Sequence, residues 1–363
     1  MEPDAGTGET LSRKREAARL GPTRPGKSVR SLLNSKAMMR TVSSLLSVAL
    51  GLALLVAHPA AAEPLALSAR PVPLHAGDPE RTRVGALRYR GGLELTSSDA
   101  RFGGLSGLLV SKDGGRMTAV SDQGHWVTAR LLYDAAGRLT GAAEAEIGEL
   151  HGPGGAHLQG KRDRDSESLT RLPDGAIVVG FERNHRLWRY PAGADPLAGQ
   201  PVPLPAPSAL EALRGNSGIE ALATLSDGAL FALAEGRREE TDSPAYLRRD
   251  GAWAELSYRR RGGFRPSGAA RLPDGDLLVI ERSFNIIDGV AIRLRRIAAQ
   301  TIVPGARLDG AAIAVLRPPL TVDNLEGVAV RRGAAGETLL YLVSDDNFRA
   351  TQRTLLLMFA LGE

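Results

Sequence analysis

Cysteine is absent from all 363 residues. With no thiol, the chain can hold neither a disulfide nor a cysteine nucleophile nor a thiolate-bound metal, so any metal must take oxygen or imidazole ligands. Lysine is nearly absent after residue 62, where only Lys112 and Lys161 occur, which leaves no lysine-rich phosphate cleft. No helical period of useful length appears after residue 63, so strands must build the core. The common catalytic motifs are missing too: there is no G-x-S-x-G elbow, no H-E-x-x-H helix and no G-x-x-x-x-G-K-[ST] loop, which removes the usual serine-hydrolase, zincin and nucleotide-binding readings. The Gly-rich stretch "GPGGAHLQG" at residue 152 has neither the spacing nor the strand-to-helix setting of a phosphate cradle.

An excess of basic charge is only nominal. The whole chain has a net charge of +5, but residues 1–62 carry nine Lys and Arg against four Asp and Glu, and the remainder is balanced. A nucleic-acid partner would need a basic face and is not expected. Those first residues read as a leader: Arg40, an apolar run from Val42 to Val56 and the small residues Ala60, Ala61 and Ala62 have the order of a secretory signal. Residues 38–62 are expected to be a signal peptide cleaved near Ala62 by the general secretory route, because no Arg-Arg pair precedes the run. The apolar run is shorter than the roughly twenty residues a spanning helix needs, so no stable membrane anchor is expected. Residues 1–37 lie upstream of a signal that would be complete from Met38 or Met39, and are expected to be a non-native or disordered extension. The folded protein is expected over 63–363, in the periplasm or secreted.

What is abundant is a repeat. Five segments align: "LSGLLVSKDGGRMTAVSDQG" from Leu105, "SESLTRLPDGAIVVGFERN" from Ser166, "IEALATLSDGALFALAEGR" from Ile219, "PSGAARLPDGDLLVIERSF" from Pro266 and "LEGVAVRRGAAGETLLYLVSDDN" from Leu325. Each reads strand, turn, strand, polar stop, with Asp-Gly at the turn in four of them. The second strands are short and apolar, as strands buried on both faces are. A spacing of about 45 to 60 residues suits a four-stranded unit that buries its faces by radial stacking. The predicted fold is an all-β β-propeller of six four-stranded blades, with five or seven as alternatives. Residues 70–100 and the terminal "TLLLMFAL" are expected to pair and complete the sixth blade. A β-sandwich pair lacks such a repeat, and β-helix rungs are shorter.

Acidic residues recur in register. At the start of the first strand one column reads Ser106, Glu167, Glu220, Ser267 and Glu326; after the second strand another reads Asp122, Glu182, Glu235, Glu281 and Asp345. In an antiparallel hairpin these positions are neighbours, so with the first strand innermost the acids would ring one mouth of the channel. Carboxylates crowded in this way raise one another's pKa unless a cation joins them. A hard divalent ion, calcium first, is the expected cofactor. Glu167, Glu220 and Glu326 are the expected ligands, with Asn324, Asn216 and Asp165 able to add oxygens and Asp345 a further candidate. Asp122, Glu182 and His125 are the candidate proton carriers, with His185 in a similar position. Arg183, Arg265 and Arg282 are candidates to clamp a phosphate or carboxylate, the alternative being ordinary pairing with neighbouring acids. "DRDSE" from Asp163 alternates acids but lacks the Gly and distal Glu of an EF-hand.

The ordered set "LSGL…SDQG", "DSESLTRLPDG…FER", "GIEALATLSDG…AEG" and "NLEGVAV…LVSDDN" resembles the phytase-like family, known for an esterase-like activity of phytase, over about residues 80–363. That resemblance implies an exported bacterial propeller that hydrolyses phosphate or carboxylic esters of small molecules. "NLEGVAV…SDDN" is also similar to the Glu-Gly strand with which six-bladed calcium-dependent lactonases and phosphotriesterases bind their metal. The similarity implies a ligand role for Glu326; Glu167 and Glu220 follow only by their place in the repeat. Ser106 and Ser267 depart from an all-acidic ring, and the missing lysines depart from phytases proper. The alternative to a hydrolase is a non-catalytic binding or scaffold propeller with a structural cation.

Overall fold

The computed structural model describes residues 62–213, 215 and 217–362. The expected extension 1–37, the signal up to residue 61 and Asn216 lie outside the described residues. Among the described residues no helix is long and apolar enough to cross a membrane.

Four strands precede the first repeat: β1 (Glu63–Leu65), β2 (Leu67–Pro71), β3 (Arg83–Val84) and β4 (Leu87–Ser97). The first repeat supplies β5 (Leu105–Val110), β6 (Arg116–Ser121), β7 (His125–Tyr133) and β8 (Leu139–Glu149), and the second β9 (Ser166–Arg171), β10 (Ile177–Phe181), β11 (Arg186–Tyr190) and β12 (Val202–Leu204). Then follow β13 (Ile219–Thr224), β14 (Leu230–Ala234), β15 (Asp242–Arg249) and β16 (Ala252–Arg259), and β17 (Arg265–Arg271), β18 (Leu277–Asn285) and β19 (Gly289–Ile297). The chain ends with β20 (Arg307–Leu308), β21 (Ala311–Leu316), β22 (Leu325–Arg332), β23 (Thr338–Ser344) and β24 (Thr354–Leu361).

These strands form five sheets, in the orders β5-β6-β7-β8-β1, β9-β10-β11-β12, β13-β14-β15-β16-β20, β17-β18-β19-β21 and β22-β23-β24-β4-β2, with β3 on β4. Inner strands β5, β9, β13, β17 and β22 touch in that order, and β22 returns to β5. The fold is therefore a β-propeller, and it has five blades where six were expected. The two chain ends do pair, as Leu355 with Glu94 and Leu361 with Leu87. However, β24 also pairs along β23, so the ends extend the fifth hairpin's own sheet and leave no strand to start another.

The turns repeat one device. Asp113, Asp174, Asp227 and Asp274 each accept a backbone N–H from two residues on, at 2.9 to 3.1 Å, and the glycine between adopts φ of 80 to 100°. From each turn the second strand runs through the middle of its blade and alternates its side chains between two interfaces. Phe231 and Leu233 face blade four, while Leu230, Ala232 and Ala234 face blade two. Leu339, Tyr341 and Val343 face blade one, while Leu340 and Leu342 face blade four. Each of the five buried clusters fills one gap between successive sheets, which explains why these strands carry apolar residues on both faces.

Closing a ring of only five sheets drives the inner strands together. Small residues meet that demand: Gly107, Ser168, Ala221, Gly268 and Gly327 each follow a residue of the inner polar column. A Cβ on Gly268 would stand 2.4 Å from the carbonyl oxygen of Glu326, and one on Gly327 2.7 Å from that of Ser106. Backbone cannot yield as a side-chain tip can. Gly268→Ala is expected to cost about 1–3 kcal/mol through overpacking and to lower Tm by several degrees in a thermal melt; an unchanged Tm would mean that blades four and five can separate freely.

Candidate functional site

Each inner strand carries one irregularity, and it falls at the same place in all five. The ladders skip one residue between Leu105 and Gly107, Ser166 and Ser168, Ile219 and Ala221, Pro266 and Gly268, and Leu325 and Gly327. The skipped residues are Ser106, Glu167, Glu220, Ser267 and Glu326, the inner column. A β-bulge frees a residue from pairing and re-aims its side chain, so local backbone geometry presents this column to the axis. Ser106, Glu167, Glu220 and Glu326 border a space of about 10 Å³, room for one water or one ion.

A second ring stands above the first. Backbone N–H groups of Asp122, Glu182, Glu235 and Asp345 donate to the carbonyls of Gly104, Asp165, Gly218 and Asn324, at 2.8 to 3.0 Å. In blade four the equivalent pair is Arg282 with Arg265, so the residue that completes this ring is Arg282. Glu281, placed there by the sequence alignment, points into the blade instead, where Arg293 at 2.5 Å and Arg295 at 3.3 Å hold its carboxylate. The ring thus has four acids and one arginine.

The acids crowd one another. Burial, reinforced by the charges of Glu326, Glu182 and Asp165, pushes Glu167 well above the ordinary carboxylate range. Burial and the charges of Glu182, Glu167, Glu235 and Glu326 do the same to Glu220. Glu182 is pushed up to about 7 by burial, held back by hydrogen bonds from Glu220 and the Gly218 N–H, the latter at 2.7 Å. Asp345 is pushed up to about 8 by burial and by Glu326. Burial raises Glu326 and Asp122 as well, with Arg282 and Lys161 respectively opposing it. Arg282 is itself half-buried; burial works against its charge, while Glu326, Glu220, Glu235 and Asp345 more than restore it.

The expected metal ligands separate into two groups. Glu167 joins Asp165 and Glu182, with one oxygen from each within 4.8 Å of the others. Glu326 accepts from Asn324 at 2.8 Å and from Ser106 at 3.4 Å, and Asn324 also reaches Asp345 at 3.4 Å. Glu220 stands between them, hydrogen-bonded to Glu182. Glu167, Glu220 and Glu326 do not converge as a three-carboxylate group of that tightness among the described residues. Glu182, expected to carry protons, also sits among oxygens able to hold an ion. The donor set nevertheless fits a hard cation: it is all oxygen, and the buried Oδ1 atoms of Asp122 and Asn324 have no hydrogen-bond partner.

Of the other candidates, Arg265 pairs with Glu235 at 2.7 Å. Arg183 departs from the clamp role: its Nε donates to Asp165 at 2.5 Å, because its left-handed backbone (φ 55°) turns it back across the rim. Lys161, which carried no role in the sequence reading, bonds Asp165 and the carboxylate of Asp122 at 2.5 Å each and ties blades one and two together. The short helix Gly160–Arg164 that positions it follows a Gly-rich loop and has no period to betray it. His125 is displaced from the ring: it opens β7, the third strand outward, opposite Glu149 on β8. His185 is nearer, since its Nδ1 and the Cγ of Glu182 both lie against Gly218.

Arg265, Arg282 and Glu235 also line a cavity of about 640 Å³, together with Arg238, Arg260 and Phe264. The second ring therefore borders, through Glu235 and Arg282, an arginine-lined cleft over blades three and four.

Residues 100–348 match the phytase-like family, described as esterase-like activity of phytase. The chain belongs to this family. Among solved structures it is similar to a candidate gluconolactonase (14% identity, covering 84% of this chain and 94% of that one, TM-score 0.39). It is also similar to virginiamycin B lyase from Staphylococcus aureus (13%, 76% and 84%, TM-score 0.36), and to PQQ-bound aldose sugar dehydrogenase from Streptomyces coelicolor (15%, 82% and 100%, TM-score 0.38). No curated protein matches it.

The raised acids give the phytase-like propeller a testable pH dependence. Glu182 and Asp345 bind protons more tightly folded than unfolded, so their contribution to stability is full below about pH 4 and is lost as pH rises through 7 to 8. With chelator present, Tm is expected to fall across that window; Glu182→Gln should flatten the fall, and a Tm that rose from pH 5 to 8 would contradict the carboxylate crowding.

Proposed function

We propose that the protein is an exported hydrolase of small phosphate or carboxylic esters that works with a divalent cation, Ca2+ first, at the mouth of its channel. One observation carries this reading: an ion-sized space bounded by Glu167, Glu220 and Glu326 lies below a ring whose Glu235 and Arg282 line a 640 Å³ cleft. Family membership points to the same chemistry.

Glu326, with Asn324 and Asp345 beside it, would hold the cation in an all-oxygen environment, and Glu167 and Glu220 border the same space. Bound there, a divalent ion supplies polarisation of the substrate oxygen and a more acidic water. Arg265 and Arg282 orient the anionic part of the ester from the cleft side. Glu182, which burial pushes up to about 7 in the ion-free ring, would take up and return a proton from outside the cation's ligands, as a general base or acid must. Export is supported by the leader pattern of residues 38–62 and by β1, which begins at Glu63, directly after the expected cut. The partner is a small molecule; neither nucleic acid nor a membrane is part of the proposal.

A second reading, a non-catalytic binding propeller with a structural cation, draws on Arg282, which already neutralises part of the ring without any ion. A panel of aryl phosphates and aryl esters separates the two. Hydrolysis that disappears with EDTA, returns with Ca2+, is abolished in Glu326→Gln and falls at least about a hundredfold in Glu182→Gln is the expected result. A raised KM in Arg265→Ala would place the substrate in the cleft. Silence across the panel, from folded protein with its cation bound, would establish the scaffold reading.

A further inference from the structure

The loop "HGPGGAH" after β8 has no part in the carboxylate rings, yet it is built with care. His151 and His157 face each other as an isolated antiparallel bridge. The intervening turn is closed by the Gly152 N–H donating to Ala156 O at 2.7 Å and the Gly155 N–H to Gly152 O at 3.0 Å. Gly154 and Gly155 adopt φ of 71° and 79°, conformations that other residues rarely take. Tyr190 of blade two donates to the carbonyl of His151 at 3.0 Å, so the loop is fixed to the neighbouring sheet.

The result is two imidazoles side by side, with ring centroids 4.9 Å apart. Glu149, at the end of β8, approaches from the same side, and its Oε2 lies 3.2 Å from His157 Nδ1. One donor atom from each of the three falls within 4.8 Å of the others. His151 is buried and fixed, while the side chains of His157 and Glu149 are 70% and 47% exposed and free to close by rotation. Metal bonds of about 2.0–2.2 Å set ligand atoms roughly 3.3 Å apart around a tetrahedral ion, which is the direction that closure takes. His125 is the cross-strand partner of Glu149 and so shares its face of the sheet; it is buried, and its Nδ1 has no hydrogen-bond partner.

We propose that Glu149, His151 and His157 form a second metal site, specific for a borderline transition ion such as Zn2+. Two imidazoles and one carboxylate select Zn2+, Ni2+ or Cu2+ over Ca2+, which prefers six to eight oxygens. Three protein ligands leave one coordination position for water or for His125. The site lies at the outer edge of blade one, on the face of the propeller that carries the carboxylate rings, and differs from them in donor chemistry.

The test uses Zn2+ itself, titrated calorimetrically into the purified protein in millimolar Ca2+, so that oxygen sites are already filled. One equivalent of Zn2+ bound at micromolar or tighter affinity is expected, weakened at least about tenfold in His157→Ala and in Glu149→Gln. Both side chains are largely exposed, so both variants should keep the wild-type Tm. Glu326→Gln should bind Zn2+ as the wild type does, which separates this site from the channel. Absence of Zn2+ binding, or equal binding by wild type and His157→Ala, overturns the proposal.

Discussion

Five inner strands converge on an axis that leaves room for about one water molecule, and most other features of the protein answer to that constraint. Strands that meet so closely must present small residues to each other, and they do so at Gly107, Ser168, Ala221, Gly268 and Gly327. The residue beside each of these has nowhere to point but the axis, and a bulge in every ladder turns it there. Three of the five are glutamates. Packing alone would fill such a channel with apolar side chains, so carboxylates there are a cost that packing does not require.

The way the molecule tolerates this charge is graded outward from the axis. At the centre burial and mutual repulsion raise Glu167 and Glu220 well above the ordinary carboxylate range. One ring out, Arg282 replaces the acid that the repeat calls for. At the rim Lys161, Arg183 and Arg265 pair directly with Asp122, Asp165 and Glu235. Direct ion pairs are therefore made by Asp122, Asp165 and Glu235, and not by Glu167 and Glu220 at the axis.

Much of this was legible in the sequence, because a repeat places equivalent side chains in equivalent surroundings. The hairpins, the doubly buried second strands and the column from Ser106 to Glu326 follow from period and turn chemistry alone. The blade number was not, since the C-terminal strand looks the same whether it opens a new sheet or extends an old one; pairing of β24 with both β23 and β4 decides it. Nor could a string of letters separate Glu281 from Arg282, adjacent residues on opposite faces of one strand. A bulge shifts that register by one, and one residue is the whole difference between a buried ion pair and a place in the ring. Lys161 and His151 were hidden for another reason: both sit beside glycine-rich loops, where no periodicity links residues that meet in space.

The seam between the chain ends also governs the order of events in folding. β24 lies inside its sheet, between β23 and a strand almost 270 residues earlier, so that sheet stays incomplete until Thr354–Leu361 are made. A ribosome that has just passed β21 has made four stackable sheets and one bare edge. β4 must wait for most of synthesis with its hydrogen-bonding groups unpaired on the side β24 will fill. Such a chain folds late and as a whole, and the eight residues Thr354–Leu361 act as its latch.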